Sequence, residues 1–268
     1  MRYILYLSGV KSDIILRFKE YYINVNHMVV NSHFHNIDQE NLIDISIADA
    51  SEVLIVQSLF PANDCFIELM NLLLQLYSRK IKISVLILYC AYGHRMNGIK
   101  DFILTSISQY CTQILALDLN TSNKLVNNIG IDEVLYQYFI TIDMQNSILG
   151  GVDYRSLAIV KRIAMKLNID YVFLNKHNDD IPFIADSIST IHIIDDVLYT
   201  GSSIDKVIYK CNKLGIAEKK VYVTHKLTHG RSDVIYYVFN NHCVNNDNDI
   251  FLSWRQILQS LDEYITFQ

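Results

Sequence analysis

Short apolar runs rich in β-branched residues alternate, along almost the whole chain, with segments in which apolar residues recur at helical spacing. Val53–Gln57 and Thr190–Ile194 are runs of the first kind, and Ser12–Tyr22 is a segment of the second. Strands of a parallel sheet read as continuous apolar runs because both faces are buried, and the helices that connect them produce the alternation. The sequence therefore predicts an α/β fold.

The alternation starts again after about residue 142, which predicts two similar halves. The expected strands of the first half are Tyr3–Leu7, Val53–Gln57, Ile83–Leu88 and Gln113–Leu117. The second half is expected to contain strands Ile148–Val152, Tyr171–Leu174, Thr190–Ile194 and Lys220–Val223, with helices over Arg155–Leu167 and Ser203–Leu214. A chain of 268 residues is long enough for two domains. We expect them to span 1–142 and 143–268, with a last helix at about 253–266 that could pack back on the first domain.

Composition excludes several classes of protein. With a net charge of −5 and no run rich in lysine and arginine, the chain lacks the basic excess of a nucleic-acid-binding protein. Its longest apolar stretches, near Val53–Val56 and Val85–Tyr92, are far shorter than the roughly 20 residues that span a bilayer. The first residues do not resemble a secretory signal, because a short apolar run gives way at once to Lys11, Ser12 and Asp13. We therefore expect a cytoplasmic protein that binds neither nucleic acid nor membranes.

The segment with the most chemical information is Ile191–Ile204, IHIIDDVLYTGSSI. Asp195 and Asp196 follow an expected strand, and ligands of open α/β sheets bind beyond the carboxyl ends of the strands. Gly201 permits a tight turn whose backbone N–H groups, with the N-terminus of the next helix, favour an anion. Three hydroxyl residues add hydrogen-bond donors to the turn: Thr200, Ser202 and Ser203.

This segment has two explanations. The turn could hold a phosphate monoester while the acids contact sugar hydroxyls or a bound Mg²⁺. It could also be an ordinary junction of strand, turn and helix that carries a solvated pair of acids.

The pattern acid-acid-x-x-x-Thr-Gly-x-Ser resembles the ribose 5-phosphate loop of the phosphoribosyltransferase superfamily. Further segments resemble one branch of that superfamily, the ribose-phosphate pyrophosphokinases (phosphoribosyl diphosphate synthetases), and they occur in that family's order. They are VLIVQSLFPANDCFIELM (53–70), YCAYGHR (89–95), LALDLN (115–120), Asp153–Lys176 and Val223–His225. The resemblance covers nearly the whole chain and implies two phosphoribosyltransferase-like domains, each a mainly parallel sheet flanked by helices.

The resemblance also implies a reaction and the residues that serve it. The family transfers the diphosphoryl group of ATP to ribose 5-phosphate, uses Mg²⁺ and forms homo-oligomers. Lys176 would act on the transferred group, Asp153 and Asn120 stand at the metal-binding positions, and His94 and Arg95 stand at the nucleotide-binding positions. The ribose 5-phosphate positions are Asp195, Asp196, Thr200, Gly201, Ser202 and Ser203.

Two of these residues also have ordinary structural explanations, since Asp153 could cap the helix expected to start at Arg155, and Lys176 could be a solvated surface lysine. Other positions depart from the family's pattern. Asn120 replaces a metal-facing histidine, Asn178 replaces an arginine beside the loop lysine, and Tyr199 replaces a third acid before the threonine. The family's glycine-rich turn after the metal-binding acid is here Tyr154-Arg155-Ser156.

Three hypotheses follow from the matches and the departures. The chain could be an active but divergent ribose-phosphate diphosphokinase, which is our working hypothesis. It could be a catalytically impaired relative that binds a sugar phosphate or an active paralogue in a regulatory role. A phosphoribosyltransferase that salvages a base is disfavoured, because the first half of the chain also resembles the pyrophosphokinases.

Overall fold

The computed structural model describes residues 1–30, 32–34, 41–43, 47, 49–60, 63–93, 97–119, 123–178, 180–231, 233–241 and 249–265. The chain forms two compact units, one of Met1–Gly130 with Ile257–Gln268 and the other of Ile131–Gln256. Each unit contains a six-stranded sheet in which all neighbouring strands are parallel. The predicted α/β fold is confirmed. The domain limits 1–142 and 143–268 stay a prediction.

The first unit contains a main sheet and a small pair of strands. Its strands are β1 (Arg2–Tyr6), β2 (Asn26–Val29), β3 (Ser32–Phe34), β4 (Asn41–Ile43), β5 (Glu52–Leu59), β6 (Lys82–Cys90), β7 (Gln113–Leu117) and β8 (Val126–Ile129). The main sheet has the order β2-β1-β5-β6-β7-β8, and β3 pairs with β4 antiparallel. Its helices are α1 (Ser12–Tyr21), α2 (Asp64–Tyr77) and α3 (Asn97–Ser108), with a short 3₁₀ helix at Ala91–Gly93.

The second unit repeats the parallel architecture. Its strands are β9 (Ser147–Gly151), β10 (Tyr171–Phe173), β11 (Thr190–Leu198), β12 (Glu218–Lys226), β13 (Ile235–Asn241) and β14 (Asp249–Phe251), in the sheet order β10-β9-β11-β12-β13-β14. Its helices are α4 (Asp132–Phe139), α5 (Tyr154–Leu167) and α6 (Ser202–Lys213). The last helix, α7 (Arg255–Asp262), belongs mostly to the first unit, which resumes at Ile257. Apolar side chains of α6 pack against those of β11 and β12 to form the core.

Two expected limits differ from those observed. Strand β11 does not stop at Ile194 but runs to Leu198, because its pairing with β12 continues as far as Leu198 and Lys226. The acid pair therefore lies inside the strand rather than after it. The last helix is shorter than the expected 253–266, beginning at Arg255 and ending at Asp262.

The C-terminal residues complete the first unit. Asp262 accepts hydrogen bonds from the hydroxyls of Tyr21 at 2.7 Å and Tyr22 at 2.8 Å. The side-chain amide of Gln113 donates to the carbonyl of Tyr264 at 3.0 Å. No helix in the described part of the chain is long and apolar enough to cross a membrane.

An aromatic cluster surrounds His192 of β11 in the second unit. Its Nδ1 lies 2.8 Å from the hydroxyl oxygen of Tyr222, and the ring of Phe139 meets it edge-on at a centroid distance of 5.3 Å. Tyr222 in turn stacks on Tyr237 at 4.4 Å. Burial, with a smaller contribution from the charge of Lys220, lowers the pKa of His192 to about 4. The imidazole is therefore neutral in the folded protein near neutral pH.

Replacing His192 with asparagine should flatten the pH dependence of stability between pH 6.5 and 4. In the unfolded chain the imidazole has its ordinary pKa of 6.5, whereas in the folded protein it resists protonation until about pH 4. The unfolded state therefore binds the extra proton as the pH falls, and the wild type loses up to roughly 3 kcal/mol of unfolding free energy across this window. Urea unfolding at a series of pH values measures both slopes, and equal slopes would contradict the prediction.

Candidate functional site

The carboxyl ends of β9, β10 and β11 meet at one edge of the second sheet, because these three strands are parallel neighbours. Asp153 lies two residues after the end of β9, and Lys176 lies three residues after the end of β10. Asp195 and Asp196 lie in the last part of β11. The sheet thus brings together four of the residues that the sequence singled out, although they lie far apart along the chain.

Asp153 stands at the start of α5 and caps it. Its Oδ1 accepts a 2.9 Å hydrogen bond from the backbone N–H of Ser156, and the hydroxyl of Ser156 in turn accepts one of 3.0 Å from the backbone N–H of Asp153. Gly151 lets the helix begin this close to the strand, because a Cβ there would lie 2.7 Å from backbone atoms of Leu157. The capping role considered for Asp153 is therefore present, and the helix starts at Tyr154.

Lys176 is directed at Asp153 rather than into solvent. Its ammonium donates to Asp153 Oδ2 at 2.9 Å, and only 20% of its side chain is exposed. The backbone N–H of Lys176 donates to the carbonyl of Val152 at 2.9 Å, which ties the loop to the end of β9. The alternative of a solvated surface lysine does not describe this geometry.

A second lysine, Lys210 of α6, holds the loop that carries Lys176. It is 3% exposed, and its ammonium donates to the carbonyls of Leu174 at 2.7 Å and Asn175 at 2.9 Å. A third partner is the side-chain oxygen of Asn178 at 3.3 Å. Three hydrogen bonds from α6, the helix after the Thr-Gly-Ser-Ser turn, thus anchor the lysine loop. No sequence motif around Lys210 indicates this role.

The charges of Asp153 and Lys176 stabilise each other. Burial alone would raise the pKa of Asp153, but the N–H of Ser156 and the ammonium of Lys176 together hold it below its usual value. Burial alone would lower the pKa of Lys176, but the carboxylates of Asp195, Asp153 and Asp196 raise it above its usual value. Both groups are therefore ionised at neutral pH.

The two acids of β11 have different surroundings. Asp195 is 3% exposed, and burial together with the neighbouring charge of Asp196 raises its pKa well above the usual range. Asp196 accepts a 2.8 Å hydrogen bond at Oδ1 from the backbone N–H of Val197 and forms an ion pair at Oδ2 with Arg155. A solvated acid pair, the ordinary explanation considered for this segment, is not what the structure contains.

Arg155 was missed by the sequence analysis as a residue of the site. Its guanidinium reaches from the first turn of α5 to Asp196, 41 positions further along the chain. The signal that could have identified it was the replacement of the family's glycine-rich turn by Tyr154-Arg155-Ser156. That replacement introduces a cation next to the acid pair.

The Thr-Gly-Ser-Ser turn opens α6. Gly201 immediately precedes the helix and has φ +80°, a left-handed conformation that favours glycine. The hydroxyls of Thr200 and Ser202 lie 3.0 Å apart, and Ser203 is the second residue of the helix. The turn therefore has the glycine, the hydroxyls and the helix N-terminus that the sequence predicted. Their role in binding a phosphate stays a prediction.

The carboxylates, as they are arranged, do not fit a resident Mg²⁺. Among the described residues, no group of three or more His, Cys, Asp or Glu side chains could hold a metal ion. Asp153 is engaged by Ser156 and Lys176, and Asp196 is engaged by Arg155. A metal at either acid would have to displace a cationic side chain. Asn120, the other expected metal-binding residue, lies outside the described residues, as do His94 and Arg95, the expected nucleotide-binding residues.

No protein-family model and no curated protein matches the chain significantly. The crystal structure of phosphoribosylpyrophosphate synthetase from Mycobacterium smegmatis is similar, with a TM-score of 0.79 and 14% identity over 99% of both chains. Adenine phosphoribosyl transferase from Trypanosoma brucei, in complex with AMP, pyrophosphate and ribose-5-phosphate, aligns with 49% of this chain and 75% of its own at 16% identity and a TM-score of 0.32. The chain therefore has the fold of a phosphoribosylpyrophosphate synthetase.

Proposed function

We propose that the chain is a ribose-phosphate diphosphokinase, which transfers the diphosphoryl group of ATP to ribose 5-phosphate and yields phosphoribosyl diphosphate and AMP. The observation that carries the proposal is the position of Lys176, whose ammonium is held on Asp153 beside Asp195 and Asp196. The fold supports the same class of transferase. Homo-oligomerisation and a cytoplasmic location stay predictions.

In the proposed reaction, the C1 hydroxyl oxygen of the sugar forms a bond to the β-phosphorus of ATP. The bond from the β-phosphorus to the oxygen that it shares with the α-phosphorus breaks, and AMP leaves. The hydroxyl proton passes to water. Transfer of this kind depends on positioning and on cations that offset negative charge. Lys176 would serve as such a cation. Mg²⁺ enters the proposal only as part of the substrate, the magnesium complex of ATP, in which it offsets the charge of the phosphate oxygens.

The sugar phosphate would lie between the acids of β11 and the turn before α6. The phosphate would accept hydrogen bonds from the turn residues Thr200, Gly201, Ser202 and Ser203. The sugar hydroxyls would donate to Asp195 and Asp196. Support comes from the chain itself, because only residues 199–201 separate the end of β11 from the start of α6, so the acids and the turn belong to one short segment.

The direct test is release of AMP from the magnesium complex of ATP by the purified chain, with and without ribose 5-phosphate. We expect AMP to appear only when the sugar phosphate is present. AMP release that does not depend on the sugar phosphate, or no release at all, would contradict the proposed activity.

A second candidate is a catalytically impaired relative that binds the sugar phosphate in a regulatory role. It is favoured by the surroundings of Asn178, which stands where the family resemblance expects an arginine. Its side-chain nitrogen donates to Asp180 at 2.6 Å and its side-chain oxygen accepts from Lys210, so it is tied within the loop. Ribose 5-phosphate binding measured by calorimetry, without any release of AMP, would favour this candidate.

Replacing Gly201 with alanine should weaken ribose 5-phosphate binding about tenfold. Both Gly201 and Gly215 have positive φ, +80° and +71°, and a Cβ at either position would meet no atom within 4 Å. Alanine at either position therefore costs backbone strain of about 1–2 kcal/mol without a clash. Only at Gly201 does relief of that strain move N–H groups of the proposed phosphate turn, and about 1.4 kcal/mol of lost binding is tenfold.

Gly215→Ala is the matched control, because Gly215 lies beyond the far end of α6. Calorimetry should detect an affinity close to that of the wild type for this variant. Equal losses of affinity in the two variants would show that general destabilisation, rather than the turn, is responsible.

A further inference from the structure

Two of the three acids at the ligand edge of the second sheet, Asp153 and Asp196, are already engaged by cations of the protein. Asp153 Oδ2 accepts from Lys176 at 2.9 Å, and Asp196 Oδ2 is paired with Arg155. The other oxygen of each acid accepts a backbone hydrogen bond, from Ser156 at Asp153 and from Val197 at Asp196. Both carboxylate oxygens of Asp153 and both of Asp196 therefore already have a donor from the protein.

These ion pairs are sheltered, which makes them harder to separate than pairs on an open surface. The side chains of Lys176 and Asp153 are 20% and 25% exposed, and those of Arg155 and Asp196 are 25% and 16% exposed. A divalent cation that bound either acid would have to displace an ammonium or a guanidinium and would then lie beside it. Partly buried like charges repel more strongly than charges in open water.

The position of Arg155 is unfavourable for the helix that carries it. It is the second residue of α5, where the partial positive charge of the helix N-terminus repels a cation. Helix stability therefore does not explain an arginine here. The ion pair with Asp196 does, because it places the guanidinium at the edge of the sheet among the acids of the site.

We propose that Arg155 and Lys176 take the place of a resident divalent metal, so that the site binds a sugar phosphate without a metal ion on its carboxylates. This inference rests on the proposed function, because it takes ribose 5-phosphate as the ligand. It implies that Mg²⁺ is needed for ATP and is dispensable for the sugar phosphate. The two cations offset the negative charge of the acids, which would otherwise repel an anionic ligand.

The test measures the binding of ribose 5-phosphate and the binding of a divalent metal in separate experiments, for the wild type and for Arg155→Gln. Calorimetry gives the affinity for ribose 5-phosphate in EDTA and in Mg²⁺, and the electron paramagnetic resonance signal of free Mn²⁺ gives metal binding without any substrate. For the wild type we expect affinities for the sugar phosphate that differ less than about threefold between the two buffers, and no binding of Mn²⁺. For Arg155→Gln we expect at least a tenfold loss of affinity in EDTA, recovery in Mg²⁺, and binding of Mn²⁺.

Arg162→Gln is the matched control. Arg162 lies on the same helix, its Nε is 2.9 Å from Asp132, and both side chains are more exposed than those of the proposed pair. This variant should behave as the wild type does in every arm, so an effect confined to Arg155→Gln reports on the site rather than on α5.

The proposal is overturned if the wild type binds ribose 5-phosphate only in Mg²⁺, or if the wild type binds Mn²⁺ as well as Arg155→Gln does. Failure of the proposed function looks different, because the wild type would then bind no ribose 5-phosphate in either buffer. In that case Mn²⁺ binding by the wild type would overturn the inference as well, whereas Mn²⁺ binding by Arg155→Gln alone would still support the replacement of a metal by Arg155.

Discussion

Replacing Lys176 with alanine should lower the release of AMP that depends on ribose 5-phosphate by about 10³-fold. The ammonium of Lys176 is held in place on Asp153, and hydrogen bonds from Lys210 anchor the loop that carries Lys176. A cation that offsets charge on a transferred phosphoryl group contributes on the order of 10³-fold or more when it is positioned in this way. Steady-state kinetics with the magnesium complex of ATP measures the effect, which should fall mainly on kcat.

Two further variants make this result specific. Lys176→Arg retains the charge with a different shape and should recover part of the rate. Lys213→Ala removes an exposed lysine of α6 that lies over the ring of Tyr209, outside the site, and should leave the rate unchanged. A rate for Lys176→Ala within tenfold of the wild type would contradict the role proposed for this lysine.

Replacing Lys226 with methionine should lower the unfolding free energy of the second unit by about 3–5 kcal/mol. The side chains of Lys226 and Asp249 are both fully buried, and they form an ion pair between the end of β12 and β14. The ammonium also lies 5.1 Å from the ring centroid of Tyr236. Removing one partner of such a pair leaves a charge in a poorly solvating environment, which is the costly way to disrupt it.

Urea unfolding followed by tryptophan fluorescence measures this loss. Trp254 is the only tryptophan of the chain, and its indole N–H donates to the carbonyl of Phe239 in β13 at 2.9 Å. It therefore reports on the edge of the sheet next to the ion pair.

Removing both charges should be far less harmful than removing one. The double variant Lys226→Met, Asp249→Leu should recover most of the lost stability, because buried ion pairs often contribute little relative to apolar residues. Lys220→Met serves as the control on the same strand, because the ion-pair partner of Lys220 is the half-exposed Glu218. We expect it to cost less than about 1 kcal/mol. A loss below 1 kcal/mol in Lys226→Met would contradict the prediction.

The fold class and most inner strands were predictable from the sequence. The apolar runs that contain Val53–Gln57 and Thr190–Ile194 are strands buried along most of their length. A strand covered on both faces shows this in its own residues, so no knowledge of its neighbours was needed. Three strands at the edges of the two sheets were not predicted: β2, β8 and β14. They are only three or four residues long and carry a weak local pattern.

The candidate site was predictable in part. The acid pair and the turn at Gly201 could be identified from a short local pattern, whereas Asp153 and Lys176 were singled out by the family resemblance. The expected end of the strand at Ile194 was wrong, because β11 continues to Leu198 through its hydrogen bonds to β12.

The sequence by itself determined the α/β fold and the kinds of side chain available at the carboxyl ends of the strands, because both are written in local patterns of apolar and polar residues. Only the tertiary structure decided which charges pair. Arg155 reaches Asp196, Lys176 reaches Asp153, and Lys210 holds the loop from another helix. These partners lie 23 to 41 positions apart, and the parallel order of β10, β9 and β11 brings them together. Pairing of charges depends on distance in space, which sequence spacing does not contain.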